Sequence, residues 1–192
     1  MGKLYDRLTP ELRAWLAGQR LFFVATAPLD SRGHVNCSPK GGDTFRALGD
    51  REVAFVDLTG SGIETVSHLQ ENGRIVLMFC AFDGAPKIVR LHGRGEVLYP
   101  AQPDFARVSA AFPALPGTRA IIRVTVDRIS DSCGFGVPHM DFVEARDTLA
   151  RWTEKQGDAG LADYRQRKNR LSIDGLPGYA SPPAGNPRAH SA

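Results

Sequence analysis

Apolar and polar residues alternate along much of the chain between residues 20 and 130. Six runs in this part are rich in β-branched and aromatic residues, and several show the period of two that is typical of strands with one buried face. The predicted strands cover residues 21–27, 34–38, 52–58, 74–82, 88–99 and 120–130. In the fifth run, Gly93 and Gly95 indicate a bend or a bulge, because glycine often marks such irregularities in strands.

Short helices are predicted before and between these strands. Thr9 followed by Pro10 is typical of a helix N-terminus, and Gly18 would end this first helix. Two further short helices are predicted over residues 64–72 and 104–112, and Gly73 would end the first of them in the left-handed conformation. Six or seven strands with few helices between them favour a mainly-β fold of the α+β class, built as a small antiparallel barrel.

Beyond residue 138 the apolar spacing changes to the 3.6-residue period of a helix. One predicted helix ends at Gly157, and a second covers residues 161–170. The last stretch, from residue 177, is rich in Pro, Gly, Ser and Ala and is predicted to be disordered. The predicted organisation is a barrel domain (1–138), a helical C-terminal extension of the same domain (139–176) and a tail (177–192).

Length and composition agree with one globular domain: the chain has 192 residues, of which 42% are hydrophobic and 23% are charged. A formal net charge of +3 is too small to favour nucleic acid as a partner. The apolar runs are shorter than the roughly 20 residues of a membrane-spanning helix. The three cysteines are widely spaced, which favours neither a zinc site nor disulfides. We therefore predict a cytoplasmic protein with no metal site.

A glycine-rich turn, Gly60-Ser61-Gly62, links a predicted strand to the helix that begins near Glu64. Small residues there allow backbone amides and hydroxyls to converge at the positive end of a helix dipole, which suits a phosphate. Thr65 replaces the third glycine of a dinucleotide fingerprint, and the next strand does not end in an acid, so that motif is excluded. The alternative is a simple flexible turn.

A second segment that could contact a phosphate ends the second predicted strand. Asn36, Ser38 and Lys40 share one face of this strand because side chains alternate with a period of two. Lys40 would meet a phosphate as a point charge. The alternative is a lysine in a solvated turn. The two segments form one site only if the fold brings them together.

No other pattern indicates a catalytic group. The histidines are isolated in the sequence, and no pair of carboxylates stands out for acid–base work. The basic residues within 165–170 are interpreted as a solvated helix face. If the protein is an enzyme, a cofactor is expected to supply the chemistry.

The order and spacing of four segments resemble the pyridoxamine 5'-phosphate oxidase-like FMN-binding split barrels. These segments are 36–41, 53–65, 69–79 and 89–93, and the resemblance covers about residues 10–130. Two further segments, 133–138 and 172–178, are similar to those of one bacterial subgroup of this family.

The resemblance implies a six-stranded antiparallel split β-barrel, a homodimer, and FMN in the groove between the subunits. It implies that residues 35–38 run along the flavin, that Lys40 meets the phosphate, and that Ser61 and Thr65 lie at a second phosphate-binding loop. The implied cofactor-binding residues are Val35, Asn36, Cys37, Ser38, Lys40, Ser61, Thr65 and Arg90.

The chain departs from the oxidase pattern at several positions. Glu64 and Thr65 stand where the oxidase has an Arg-Lys pair, and Ile88 stands where a glutamine is expected. A carboxylate would repel a phosphate, so Glu64 is expected to point away from it, towards His68. The C-terminal Arg-x-His pattern that binds the oxidase's substrate has no counterpart, so vitamin B6 oxidation is not the expected activity.

The leading hypothesis is an FMN-dependent oxidoreductase that acts on a small-molecule substrate or electron donor, with no catalytic residue assigned. The alternatives are a deazaflavin-dependent reductase on the same fold, a non-catalytic flavin- or haem-binding protein, and an interaction domain without a cofactor. A second copy of the chain is the expected protein partner. Neither nucleic acid nor a membrane is expected to bind.

Overall fold

Eight strands form one antiparallel sheet in the computed structural model, which describes residues 2–179. The strands are β1 (Leu4–Tyr5), β2 (Leu21–Thr26), β3 (Asn36–Gly41), β4 (Phe45–Ala47), β5 (Glu52–Leu58), β6 (Arg74–Cys80), β7 (Ile88–Leu98) and β8 (Thr118–Ser132). The six longer strands confirm the six predicted runs, except that β3 begins two residues later and ends three residues later than the run predicted over residues 34–38. The short strands β1 and β4 were not predicted, because two or three residues are too few to show an alternation.

The sheet curls into a split barrel. Its strand order is β3-β2-β6-β7-β8-β5-β4, with β1 added to β8. Although β2 and β5 lie far apart in this order, the ring centroids of Phe22 and Phe55 are only 5.7 Å apart. Within residues 2–179 no pairing joins the two edge strands, β3 and β4, so the barrel remains open between them. The predicted antiparallel split barrel is confirmed, with eight strands rather than six.

Alternation of side chains places the core inside the curl. In β2, for example, Phe22 and Val24 are buried, whereas their neighbours in the strand are only half-buried. The predicted irregularity in β7 is confirmed by a shift of register between His92 and Gly93. Only glycine fits at this second position, because a Cβ there would lie 2.1 Å from the backbone oxygen of Thr125.

The described part of the chain contains four helices: α1 (Pro10–Ala17), α2 (Glu64–Asn72), α3 (Pro103–Ser109) and α4 (Thr148–Lys168). The predicted start of α1 is confirmed, since the Thr9 hydroxyl accepts a hydrogen bond from the Leu12 amide. Gly73, with φ of 70°, ends α2 in the left-handed conformation. Among the described helices, none is long and apolar enough to cross a membrane.

The C-terminal extension differs from its prediction before Thr148. Residues 138–147 are not helical, although their apolar spacing predicted a helix. Tertiary contacts hold this segment against the barrel instead: the Met140 amide donates to the Phe82 oxygen, and the Phe142 ring lies 4.7 Å from the Arg20 guanidinium carbon. Gly157 interrupts α4 with φ of 59°, at the position where the helix was predicted to end.

After α4 the chain turns back on itself, and we call the last residues of α4 together with this reversal, residues 165–179, the C-terminal strap. Leu171 pairs with Pro177, and the Tyr179 amide donates to the Asn169 oxygen at 2.7 Å. The first three residues of the predicted tail, 177–179, therefore follow a defined course against the domain. The rest of that tail lies outside the described residues.

Candidate functional site

A cavity of about 150 Å³ lies between β3 and the start of α2, and we call it the β3–α2 cavity. Its walls consist of strand residues from β3 and β5, the loop before α2, the first two residues of α2, and one arginine of β8. They are Ser38, Lys40, Asp57, Leu58, Gly60, Gly62, Ile63, Glu64, Thr65 and Arg119. The fold therefore brings together the two segments for which the sequence suggested phosphate binding.

The face of β3 that lines the cavity is the inner face of the sheet. Asn36, Ser38 and Lys40 alternate with exposed residues along the strand, so the predicted shared face is confirmed. In the register of the pair, Lys40 lies opposite Phe22 and Ser38 lies opposite Val24, both of which are buried in the core. Because β3 is an edge strand, this face is only half-buried and open to a ligand.

A buried carboxylate connects the two cations of the cavity. The Lys40 ammonium lies 3.3 Å from one oxygen of Asp57, and the Arg119 Nε donates to the other oxygen at 2.8 Å. Asp57 and Arg119 are 1% and 3% exposed, so water screens this pair poorly. One carboxylate faces two cations, and a lysine ammonium has three donors. Lys40 can therefore bind a further anion.

Asn36 orients the two hydroxyl groups of the cavity. Its Nδ2 donates to the Thr65 hydroxyl at 3.0 Å, while its Oδ1 accepts from the Ser38 hydroxyl at 3.1 Å. The Thr65 oxygen is thereby used as an acceptor, and its own hydrogen can donate to a ligand oxygen. The Ser38 hydrogen is used within the protein, so this side chain presents an acceptor.

The N-terminus of α2 opens into the cavity without a side-chain cap. Its N-cap residue is Ile63, whose side chain cannot accept a hydrogen bond from the first-turn amides. The Glu64 carboxylate folds back and accepts from the Ile63 amide at 3.0 Å. The expectation that Glu64 points away towards His68 is therefore wrong. A carboxylate is stabilised at the positive end of a helix.

His68 lies on the buried face of α2 and forms a different contact. It is 0% exposed, and its Nδ1 lies 2.9 Å from the Thr26 hydroxyl oxygen. Burial lowers the pKa of His68, and the nearby carboxylates of Asp174 and Glu64 oppose this shift only in part. The neutral imidazole is therefore the form that the folded protein favours.

Five of the eight predicted residues do not line the cavity, although one of them, Asn36, forms hydrogen bonds to two residues that do. Ser61 is exposed at the rim of the cavity. Val35 is 73% exposed, and Cys37 is exposed as well. Arg90 lies on the outer face of the sheet, next to the inward-facing Val89, and donates to the Ser132 hydroxyl at 2.9 Å. A ligand that contacts all predicted residues would have to pass around the edge strand β3.

Asp57 and Arg119 were not among the residues predicted from the sequence. A signal was present, because Asp57 is a lone charged residue inside an apolar run and Arg119 directly precedes another, and such residues are costly to bury without a partner. Asn169, in contrast, gives no signal in the sequence. Its contact with the loop before α2 depends on the course of the C-terminal strap.

A larger cavity of about 430 Å³ lies beside α1 and β4, and none of the eight predicted residues lines it. Its residues Arg13 and Arg46 form ion pairs with Asp50 and Asp43. Within the described part of the chain, no group of three or more His, Cys, Asp or Glu residues could hold a metal ion. The β3–α2 cavity is therefore the candidate site.

Comparison with known proteins identifies the family. Residues 8–133 match the family model for pyridoxamine 5'-phosphate oxidase. The pyridoxamine 5'-phosphate oxidase family protein ustO of Aspergillus flavus is 39% identical over 196 residues, which cover 92% of this chain and 78% of that protein. Because this match covers nearly the whole chain, it extends past residue 133 into the C-terminal extension.

Two solved structures show the same fold. A HupZ variant of Group A Streptococcus is 22% identical, with a TM-score of 0.51, and the match covers 65% of this chain and 99% of that one. A Lactobacillus delbrueckii protein, provisionally described as a pyridoxamine 5'-phosphate oxidase, is 15% identical, with a TM-score of 0.50 and coverage of 66% and 98%. This chain belongs to the pyridoxamine 5'-phosphate oxidase family.

Proposed function

We propose that this protein is an FMN-dependent oxidoreductase that acts on a small-molecule substrate or electron donor. The observation that carries the proposal is the meeting of β3 and the uncapped N-terminus of α2 at one cavity, in a chain of this family. Each segment alone has an ordinary explanation as a turn. Together they supply a cation, a hydroxyl donor and backbone amides to one small space.

The donors of the cavity fit the phosphate of FMN. Lys40 offers a positive charge, Thr65 offers a hydroxyl hydrogen, and the first turn of α2 offers amides at the positive end of its dipole. Two carboxylates, Asp57 and Glu64, also line the cavity and limit its positive charge. A deazaflavin has a longer acidic tail and would require a more basic site, so this balance favours FMN.

In this proposal each side chain has a separate task. Lys40 and Thr65 bind the phosphate, and Asn36 keeps the Thr65 hydroxyl in the donating orientation. Ser38 accepts from a hydroxyl of the ribityl chain. Glu64 releases the Ile63 amide when an anion occupies the helix N-terminus. When bound, FMN supplies two-electron redox chemistry, and the protein binds it, orients it and excludes water.

The proposal also includes a homodimer, and the half-exposed outer face of the sheet supports this part of it. Phe23 of β2 lies opposite Met78 of β6, which lies opposite Arg90 of β7. All three side chains are half-buried in the single chain. A second copy that covers this face would bring Arg90 towards the groove between subunits.

Haem binding has less support in this site. No histidine is present among the residues that line the β3–α2 cavity. The exposed ring of His34 is already hydrogen-bonded to Asp174, and His68 is fully buried.

An FMN titration of the purified protein, followed by the quenching of flavin fluorescence, tests the proposal. The wild type is expected to retain FMN after removal of the excess. Lys40→Ala is expected to weaken binding at least tenfold, because a hydrogen bond to a charged group contributes about 1.5–3 kcal/mol. Lys155→Ala, at an exposed lysine of α4, is the matched control and is expected to bind normally.

Two outcomes would contradict the proposal. If the wild type retains no flavin under any loading condition, FMN is not its cofactor. If Lys40→Ala and Lys155→Ala bind FMN equally well, the phosphate does not lie in the β3–α2 cavity. An absorbance band of haem in the purified protein would favour the alternative of a haem-binding protein.

A further inference from the structure

The C-terminal strap lies directly against the loop that lines the β3–α2 cavity. The Asn169 Nδ2 donates to the Gly60 oxygen at 2.9 Å and approaches the Ser61 oxygen at 3.4 Å. Four residues earlier, the Arg165 Nε donates to the Thr59 hydroxyl at 2.9 Å. The strap therefore contacts three successive residues, 59–61, through two of its side chains.

Asn169 is held firmly in this place. It is 0% exposed, and its backbone amide donates to the Arg165 oxygen at 2.9 Å. Close packing fixes the strap on its other side as well. A Cβ at Gly178 would lie 2.4 Å from the Asn169 oxygen and 2.7 Å from a side-chain carbon of Ile63. The strap thus packs on the N-cap residue of α2.

The strap also contacts the segment that leads into β3. One carboxylate oxygen of Asp174 accepts from the His34 amide at 2.7 Å, and the other lies 2.6 Å from its ring Nδ1. These contacts hold the pKa of Asp174 below its usual range. His34 precedes the first residue of β3, Asn36, by two positions. One segment therefore contacts both stretches of chain that form the cavity.

Three consecutive carbonyl groups before α2 are held by side chains. Asn169 contacts the oxygens of Gly60 and Ser61, and the Arg119 Nη1 donates to the Gly62 oxygen at 3.0 Å. In a trans peptide the N–H points opposite to the preceding C=O. The amides of residues 61–63 therefore point away from these two side chains, and the third of them donates to the Glu64 carboxylate.

We propose that Asn169 is a positioning residue of the cofactor site. By holding two carbonyl groups of the loop, it presents the following amides to an anion in the cavity, as successive backbone amides do in other anion-binding turns. That the anion is the phosphate of FMN rests on the proposed function. The effect of Asn169 on the loop before α2 is independent of that function, because it rests on the hydrogen bonds alone. The C-terminal extension is then part of the site, although the family model ends at residue 133.

The test compares Asn169→Ala with Arg167→Ala in the full-length protein. Arg167 lies on the same helix, pairs with Asp163 and is exposed, so it controls for changes in α4 itself. Hydrogen exchange of the amides of residues 60–65 reports on the loop without any ligand. FMN titration reports on binding, and thermal unfolding reports on the fold.

Asn169→Ala is expected to speed amide exchange in residues 60–65 about tenfold and to weaken FMN binding at least tenfold, with Arg167→Ala unchanged in both. Asn169→Leu keeps a similar size and shape and removes the donor without burying a charge, so it serves if the alanine variant does not fold; the same effects are expected.

Unchanged exchange in residues 60–65 of a folded Asn169 variant would overturn the positioning role, whether or not FMN binds. Faster amide exchange together with undiminished FMN affinity would show that Asn169 orders the loop but does not affect the cofactor site, which would overturn the proposal. If the wild type binds no FMN while Asn169→Ala speeds exchange in the loop, the effect on the loop is supported and the proposed function is contradicted.

Discussion

The helices α1 and α2 both begin beside the barrel, but their first-turn amides meet different partners. In α1 the Thr9 hydroxyl accepts from the Leu12 amide, and Pro10 removes one amide that would otherwise lack an acceptor. In α2 the N-cap is Ile63, whose side chain offers no acceptor, and the Glu64 carboxylate accepts from the amide of Ile63 itself. The first turn of α1 therefore has a side-chain cap, whereas at α2 a ligand could replace Glu64 as the acceptor.

Because of this difference, we expect the N-terminus of α1 to affect the stability of the fold alone and that of α2 to affect ligand binding as well. A side-chain cap stabilises a helix whether or not a ligand is present. An uncapped N-terminus beside a cation, such as Lys40, leaves part of the available hydrogen bonding for an anion. Substitutions at α1 should therefore alter the free energy of unfolding alone, and those at α2 should alter FMN binding as well.

The largest expected effect comes from breaking the ion pair that supports α2. Arg119→Ala leaves Asp57 buried without its closest cation and is expected to lower the free energy of unfolding by about 3–5 kcal/mol. Urea unfolding at pH 7 measures this. The double variant Asp57→Asn, Arg119→Met removes both charges and is expected to regain much of the loss. Equal instability of both variants would show that the charges are not the cause.

Acid is expected to destabilise the protein through the buried face of α2. Burial lowers the pKa of His68, so the unfolded chain binds its proton more readily. The stabilising contribution is present above the ordinary histidine pKa of about 6.5 and is lost as pH falls towards the lowered value in the folded protein, by up to about 1.4 kcal/mol per pH unit.

His68→Gln should therefore flatten the fall in unfolding free energy between pH 7 and 5, as measured by urea unfolding. His139→Gln is the control, because His139 is exposed. The pKa of His92 is also lowered by burial, so some dependence on pH should remain. If the unfolding free energy of His68→Gln falls with pH as steeply as that of the wild type, His68 is not the source of the pH dependence.

Loss of the α1 cap is expected to lower the free energy of unfolding by a smaller amount, and it directly tests the difference between the two helix N-termini. Thr9→Ala removes the acceptor of the Leu12 amide and is expected to cost about 1 kcal/mol of unfolding free energy. FMN affinity is expected to stay unchanged, because α1 does not line the β3–α2 cavity. A parallel loss of FMN affinity would show that the two helix termini are not independent.

The smallest expected change in stability comes from Glu64→Gln. Loss of the charge at the helix N-terminus should cost about 0.3–1 kcal/mol. FMN affinity should rise several-fold, because the phosphate no longer competes with a carboxylate for the Ile63 amide. Glu11→Gln, in the first turn of α1, is the matched control and should leave FMN binding unchanged. Weaker FMN binding by Glu64→Gln would mean that Glu64 assists the ligand.

The sequence predicted those parts of the structure whose signals are local. The strands alternate in polarity, Thr9-Pro10 starts a helix, and Gly73 ends one, since each depends on a few neighbouring residues. The helix predicted over residues 138–147 is absent, because contacts with Phe82 and Arg20 outweigh the helical spacing of these residues.

The candidate site was predicted in part for the same reason. Ser38, Lys40 and Thr65 carry their chemistry in short segments with recognisable spacing. Asp57 and Arg119 become neighbours only through the pairing of β5 with β8, which the sequence alone does not reveal. Asn169 could not be predicted, because it contacts the loop before α2 from the C-terminal strap, more than a hundred residues later in the chain.

The edge position of β3 affects how copies of the chain can associate. Pro39 lies in the middle of this strand and has no N–H, so the free edge has a gap in its row of hydrogen-bond donors. Such an edge is a poor template for a strand from another molecule, and growth of an intermolecular sheet is discouraged there. Copies are expected to meet through the face of the sheet, and the mouth of the cavity beside β3 then stays free for diffusing ligands.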